Sequence, residues 1–177
     1  MNILAISGSL RKDSFNTALV HALQSLAPAG MKIEVAEIGD LPLYDQDAEA
    51  AFPAAARTLK DKIEAADGII IATPEYNRSI PGVLKNAIDW ASRPWGQNSF
   101  AKKPVLVAGV SVGKIGTALA QSHLRHVLLY LDAKVLGQPE LYLGPSQTVF
   151  DKEGTIIDTS TKELLVKALE TLQNQVA

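Results

Sequence analysis

The sequence contains no cysteine among its 177 residues. This absence excludes a disulfide framework, a zinc site built on thiolates and a cysteine nucleophile. Small secreted domains usually depend on disulfide cross-links, and this chain has none.

The chain also lacks an excess of positive charge, since its formal net charge is −2. Without a basic surface we expect no nucleic-acid partner. The first apolar run, Ile3–Ile6, is too short for a signal peptide, and no segment approaches the roughly 20 apolar residues that cross a bilayer. With 47% hydrophobic and 20% charged residues, we expect a single globular domain over residues 1–177, cytoplasmic and without a membrane partner.

Short apolar runs alternate with longer segments of helical period. The runs predict strands at Ile3–Ile6, Met31–Ile38, Gly68–Ala72 and Val105–Val110, and a last strand within Lys134–Tyr142 that is broken near Gly137–Pro139. Helical periodicity covers Asn16–Leu26, Arg57–Ala66, Ile115–Leu131 and Thr161–Gln175, and Pro81 begins a further helix. This alternation predicts an α/β fold, a three-layer, doubly wound domain around a five-stranded parallel sheet.

Ligands of an open parallel sheet bind beyond the carboxyl ends of its strands. Three loops follow predicted strand ends, and all are rich in small, hydroxyl or amide residues: loop 1 (Ser7–Thr17), loop 2 (Thr73–Ile80) and loop 3 (Ser111–Gly116). We therefore expect the ligand site at these loops.

Loop 1 opens a helix whose N-terminus offers unpaired N–H groups and a partial positive charge. Further donors come from Ser9, Arg11, Ser14, Asn16 and Thr17. This donor set favours a phosphate monoester. Helix capping explains the same residue types, but capping needs only one of them. The loop lacks both the ending of a Walker A loop and the glycine fingerprint of a dinucleotide site.

Loop 2 lies between Pro74 and Pro81, which restrict its backbone and direct its amides. Such a loop suits the polar edge of a planar heterocycle, to which Tyr76 or Ile80 can offer a flat apolar contact. An ordinary strand-to-helix connection explains these residues equally well.

Loop 3 begins within the sequence Gly109-x-Ser111-x-Gly113, which matches the pattern of a nucleophile elbow. In a serine hydrolase with this elbow, an acidic residue and then a histidine follow the serine along the chain. Here His123 and His126 follow on the helix that the loop opens, with no Asp or Glu in between, which argues against hydrolysis. The alternative to hydrolysis is that the glycines allow the backbone to approach a ligand closely. The histidine spacing can bind metal, but no third ligand is evident, so no metal site is predicted.

Three segments carry a family resemblance. They read Ser7-Gly8-Ser9-Leu10-Arg11-Lys12-x-Ser14-x-Asn16-Thr17, then Thr73-Pro74-Glu75-Tyr76-Asn77-x-Ser79-Ile80-Pro81-Gly82-x-Leu84-Lys85-Asn86-Ala87-Ile88-Asp89-Trp90, and finally Gln121-x-His123-Leu124-Arg125. The sequence resembles the NADPH-dependent FMN reductase family, and within it the soluble chromate and quinone reductases.

The resemblance implies a flavodoxin-like sheet of order 2-1-3-4-5, with FMN at the switch point between strands 1 and 3. The residues implied for the FMN phosphate are Ser9, Arg11, Ser14, Asn16 and Thr17. Those implied for the isoalloxazine edge are Pro74, Glu75, Tyr76 and Asn77, with Ser79 and Ile80 beside it and Ser111 and Gly113 in a third wall. Arg78 either attracts an anionic substrate, such as the phosphate of NADPH, or is simply solvated.

The resemblance implies an NAD(P)H-dependent FMN reductase that reduces quinones, chromate or similar acceptors in a ping-pong cycle, with NADPH or NADH as hydride donor. No side chain is assigned a catalytic role, because the flavin supplies the chemistry. A homodimer or homotetramer is implied, and Trp95, Arg125 and the loop Arg93–Lys103 are candidates for its subunit seam. The alternative is an FMN-binding electron carrier without NAD(P)H turnover, although such carriers are commonly more acidic than −2.

Overall fold

The computed structural model of the chain describes residues 1–176. Its strands are β1 (Asn2–Ser7), β2 (Lys32–Ala36), β3 (Gly68–Ala72), β4 (Pro104–Val110), β5 (Lys134–Val135) and β6 (Leu141–Leu143). Its helices are α1 (Phe15–Ser25), α2 (Ala54–Ala65), α3 (Gly82–Ala91), α4 (Ala118–Tyr130), α5 (Ser146–Val149) and α6 (Thr159–Val176), and a 3₁₀ helix covers Gln46–Ala51.

The strands pair in parallel in the order β2-β1-β3-β4-β5, and β6 also pairs with β4. This arrangement confirms the predicted flavodoxin-like order and adds a sixth short strand. Chain order reverses at β1, which lies between β2 and β3. Since β1, β3 and β4 are neighbours and parallel, their carboxyl ends lie side by side at one edge of the sheet.

The sixth strand arises because the last predicted strand is interrupted, as expected. β5 pairs with Pro104 and Val105 near the start of β4, and β6 pairs with Ala108–Val110 at its end. Pro139 lies in the interruption and has no N–H to donate to a sheet ladder. The break therefore divides one strand position into two short pieces.

Helices cover both faces of the sheet, and every residue of β3 and β4 is buried. Ile70 and Leu106 belong to a core on the side of α1 and α6. Their neighbours Ile69 and Val105 belong to a second core on the side of α2, α3 and α4. This confirms the expectation, drawn from continuous apolar strands, of a three-layer fold. Within residues 1–176, no helix combines the length and the apolar character needed to span a membrane.

A buried lysine anchors the connection between α3 and β4. The side chain of Lys60 is 1% exposed, and its Nζ donates to the carbonyls of Ala91 and Gln97 at 3.1 and 2.6 Å and to Ser99 Oγ at 2.7 Å. Burial lowers the pKa of Lys60, while the neighbouring Glu64 carboxylate opposes that shift. The loop Arg93–Lys103 is thus held to α2 by hydrogen bonds to one charged group.

Candidate functional site

Loops 1, 2 and 3 lie together because they leave three neighbouring strands at the same sheet edge. The sheet's hydrogen bonds continue into the loops, with Gly8 N donating to Ala72 O at 2.8 Å and Thr73 N donating to Ala108 O at 2.9 Å. A Cβ on Gly8 would lie 3.1 Å from Leu84 Cδ2 and 3.3 Å from Pro74 Cδ, so loops 1 and 2 meet closely there. The structure therefore brings the three predicted segments together.

Loop 1 ends in a helix cap. Ser14 is the N-cap of α1, and its Oγ accepts hydrogen bonds from Asn16 N at 3.2 Å and Thr17 N at 3.4 Å. The hydroxyl proton of Ser14 is not used in these bonds, because Oγ is the acceptor in both. Ser14 therefore caps α1, and its hydroxyl group can still donate one hydrogen bond at the positive end of the helix.

The backbone of loop 1 supplies further donors. Within residues 1–176, no hydrogen bond is made by the backbone N–H groups of Ser9, Leu10, Lys12 and Asp13. Ser9 Oγ accepts from Arg11 N at 3.3 Å, and the Thr17 hydroxyl lies 2.8 Å from that of Ser7. Unpaired N–H groups and hydroxyls at a helix N-terminus form a donor set that fits a phosphate monoester.

Arg11 adds a positive charge to this loop. Its side chain is exposed, and the guanidinium carbon lies 5.5 Å from the centre of the Phe15 ring. Phe15 in turn stacks on Phe150, with ring centroids 6.4 Å apart. The two rings support the guanidinium beside loop 1, where it can reach an anion.

Asn16 has a different environment from the other donors of loop 1. Its side chain is 2% exposed, with Nδ2 donating to Val110 O and Oδ1 accepting from Val110 N, both at 3.0 Å. The amide therefore ties the start of α1 to the end of β4. Its predicted contact with a phosphate stays a prediction, and the structure shows a positioning role beside it.

Ser14 and Thr17 also line a groove of about 580 Å³ between α1 and the turn around Gly154. This groove does not include any residue of loops 2 or 3. The candidate site is accordingly defined by the loops at the strand ends and not by this groove.

Loop 2 contains a tight turn. Tyr76 and Ser79 exchange two backbone hydrogen bonds of 3.0 Å, and the residues between them, Asn77 and Arg78, have φ angles of 52° and 66°. Positive φ at both central positions is the geometry of a type I′ turn, in which asparagine is favoured. Tyr76 is 52% exposed, so its ring is free to offer a flat contact.

The remaining residues of loop 2 frame this turn. Pro74 is buried beside Gly8, and Ile80 is half-buried against the core on the side of α3. The restricted backbone expected between Pro74 and Pro81 is therefore also held by packing.

The Glu75 side chain turns toward α4. Its Oε2 accepts hydrogen bonds from Leu119 N and Ala120 N, both at 3.1 Å, and its Oε1 lies 3.4 Å from Arg78 Nη1. The N-cap residue of α4, Thr117, makes no side-chain capping bond, so the carboxylate takes that place. Any contact between Glu75 and an isoalloxazine is thus left to its backbone, and stays a prediction.

Loop 3 does not assemble a serine hydrolase. Ser111 Oγ donates to the exposed Gly113 carbonyl at 3.0 Å, and no histidine of residues 1–176 hydrogen-bonds to this hydroxyl. His123 Nδ1 instead lies 3.1 Å from Ser79 Oγ in loop 2. The part of the chain that the structure describes also holds no group of three or more His, Asp or Glu side chains placed to bind a metal ion.

One residue that shapes the site, Thr117, was not predicted from the sequence, and the structure gives a new reason for a second, Gly109. Thr117 is buried at φ 65°, an unusual conformation for a β-branched residue, and its Oγ1 accepts from Gln121 Nε2 at 3.1 Å. A Cβ on Gly109 would lie 2.0 Å from Thr117 Oγ1 and 2.5 Å from Thr73 O. The glycine pattern marked Gly109, and the structural reason for this glycine is that Thr117 and the Thr73 carbonyl both pack against it.

Comparison with known proteins gives consistent results. The NADPH-dependent FMN reductase family matches residues 1–148. A 2-hydroxy-1,4-benzoquinone reductase from a Burkholderia species is 53% identical over 165 residues, which cover 93% of this chain and 90% of the relative. A quinone reductase from Escherichia coli is 45% identical over 173 residues, covering 96% and 92% respectively.

A solved structure agrees in fold over nearly the whole chain. The flavoenzyme NAD(P)H:(acceptor) oxidoreductase from Paracoccus denitrificans superposes with a TM-score of 0.92 at 41% identity, covering 99% of this chain and 96% of that one. The similarity therefore includes all three loops of the candidate site.

Replacing Gly109 by alanine tests the close packing of Thr73 and Thr117 against the end of β4. The added methyl would overlap Thr117 Oγ1 and Thr73 O, so we expect Gly109→Ala to lower the free energy of unfolding by about 3 kcal/mol, as measured by urea denaturation. Gly82→Ala is the matched control, because Gly82 begins α3 and has nothing within 4 Å of its Cβ position. Wild-type stability in Gly109→Ala would contradict this account.

Proposed function

Because the chain belongs to the NADPH-dependent FMN reductase family, we infer that it is an FMN-dependent NAD(P)H oxidoreductase that reduces quinones. The observation that supports this inference best is that loops 1 and 2, which offer different chemical groups, lie side by side. Loop 1 offers N–H and hydroxyl donors at a helix N-terminus, and loop 2 offers a rigid backbone with an exposed aromatic ring. FMN has a phosphate for the first and a planar heterocycle for the second.

We propose that one domain holds the FMN and that its residues divide by loop. The phosphate is held by Ser9, Arg11, Ser14 and Thr17, with Asn16 placing them. The isoalloxazine edge is held mainly by the backbone of Pro74, Glu75, Tyr76 and Asn77, beside Ser79 and Ile80. Ser111 and Gly113 form the third wall.

FMN, when bound, would supply the hydride-transfer chemistry that links NAD(P)H to the acceptor. The residues of the three loops would orient the ring system for both substrates. Backbone N–H groups of loops 2 and 3 offset the negative charge that the ring gains on reduction. Donor and acceptor would use the site in turn, in a ping-pong cycle, and no side chain has to act as nucleophile or base. Chromate as an acceptor and the cytoplasmic location stay predictions.

The function is tested by anaerobic reduction of the purified, FMN-loaded protein. We expect a yellow protein that is bleached by NADPH or NADH and regains its colour on addition of a quinone, followed at the flavin absorption band. The steady-state rates should give parallel lines in double-reciprocal plots. A protein that takes up no FMN would refute the proposal. Binding of FMN without reduction by either nicotinamide would support the electron carrier instead.

The phosphate assignment is tested by Arg11→Ala. The exposed guanidinium can make charge-assisted hydrogen bonds to a phosphate, so we expect its loss to raise the dissociation constant for FMN about tenfold without changing stability. Arg57→Ala is the matched control, since Arg57 is also exposed and lies 4.8 Å from the centre of the Phe52 ring. Equal FMN affinity of the two variants would place the phosphate elsewhere.

A homo-oligomer is the further expectation, and exposed apolar side chains support it. On α4, Leu129 and Tyr130 are 63% and 75% exposed, and Trp95 in the loop Arg93–Lys103 is 76% exposed. A second subunit would cover these apolar side chains.

Sedimentation velocity measures this assembly. We expect a dimer or tetramer for the wild type and a shift toward monomer for Tyr130→Asp, because the carboxylate would be buried in the seam. Leu43→Asp is the control, since Leu43 is 84% exposed on a different segment. A monomeric wild-type protein would contradict the expectation.

A further inference from the structure

Two side-chain contacts join loop 2 to α4, at Glu75 and at His123. We propose that His123 and Glu75 are positioning residues that latch loop 2 to α4 and thereby set the FMN affinity of the site. This inference rests on the proposed function, because it takes loop 2 as the wall that holds the isoalloxazine edge. His123 was predicted neither as a site residue nor as a partner of loop 2.

The first contact of the latch is a carboxylate cap. The Glu75 side chain is 12% exposed, and one of its oxygens accepts from two consecutive backbone N–H groups of α4. A carboxylate at a helix N-terminus is stabilised by both the hydrogen bonds and the helix dipole. Since α4 has no side-chain cap of its own, Glu75 and the helix satisfy each other. The start of loop 2 is thus fixed relative to α4.

The second contact lies on the other side of the turn. His123 is in the second turn of α4, and its Nδ1 is 3.1 Å from the hydroxyl of Ser79. Ser79 closes the turn through two backbone hydrogen bonds with Tyr76. The hydrogen bond with His123 therefore ties the far end of the turn to the second turn of α4.

The two contacts therefore bracket the Tyr76–Ser79 turn. Arg78, at the tip of the turn, reaches back to Glu75 with 3.4 Å between Nη1 and Oε1. The turn's central residues have positive φ angles, a conformation that costs free energy for residues with a Cβ and has to be maintained by its surroundings. Loosening either contact would allow the backbone groups of loop 2 to move away from the flavin edge.

The decisive experiment compares three substitutions on α4. His123→Ala removes the contact, whereas His123→Asn keeps a hydrogen-bonding group near the position of Nδ1. His126→Ala is the matched control, because His126 is exposed one turn further along α4 and no side-chain hydrogen bond of residues 1–176 involves it. The measurements are the dissociation constant for FMN, from quenching of flavin fluorescence, and the absorption spectrum of the bound flavin.

We expect His123→Ala to raise the dissociation constant about two- to tenfold, the range for one net hydrogen bond, and to shift the flavin spectrum. His123→Asn should restore most of the affinity, and His126→Ala should match the wild type. An unchanged dissociation constant in His123→Ala, or a failure of His123→Asn to restore it, would overturn the proposal.

A double-mutant cycle in the FMN-free protein separates this inference from the proposed function. Ser79→Ala and His123→Ala, singly and together, are compared by urea unfolding. Because each removes the same contact, their effects should be non-additive, with a coupling of about two- to tenfold in the unfolding equilibrium constant. Strict additivity would show that the contact does not hold the loop. Absence of FMN binding in the wild type would instead refute the proposed function, whatever the coupling.

Discussion

The geometry of the site depends on the pair of hydrogen bonds between the Asn16 side chain and the backbone of Val110. They join the first turn of α1 to the end of β4 and so hold loop 1 against loop 3. Asn16 is 2% exposed, so these hydrogen bonds are buried. If the Asn16 amide or the Val110 backbone lost its partner, the protein would lose more stability than the hydrogen bond itself contributes. Because β3 lies between β1 and β4, loop 2 is confined between the two loops that this contact joins.

Close approach at this edge is accompanied by local backbone strain. Thr117 stands in the left-handed region at φ 65°, which is costly for a β-branched side chain. Its hydroxyl accepts a hydrogen bond from the buried Gln121, and Gly109 leaves room for it by having no Cβ. Strain in one residue is thus balanced by a hydrogen bond and a small neighbour. The result is that Thr117, just before α4, and Thr73, just after β3, both pack closely against the end of β4.

The fold could be predicted largely from local signals, whereas the partners in the site could not. Continuous apolar runs define buried strands, and β3 was predicted with the bounds it has in the structure. The 3₁₀ helix and α5 are too short to show a periodicity and were not predicted as such. Asn16 and Glu75 were predicted to bind FMN, but their side chains bond to backbone 94 and 44 residues away. Sequence patterns show which residues gather at strand ends, but they do not show which of these residues hydrogen-bond to one another.

The direction of the Glu75 carboxylate matters for the electrostatics of an FMN site. An isoalloxazine ring gains negative charge when it is reduced, and a carboxylate facing it would oppose that change. Here both carboxylate oxygens are engaged, one by the N–H groups of α4 and the other near the Arg78 guanidinium. The charge of Glu75 is therefore offset by a helix dipole and a cation, while its backbone stays available for the wall proposed for the flavin. A residue that looks unfavourable beside a reduced flavin can thus strengthen the loop proposed to hold the flavin, because its own charge is already offset within the protein.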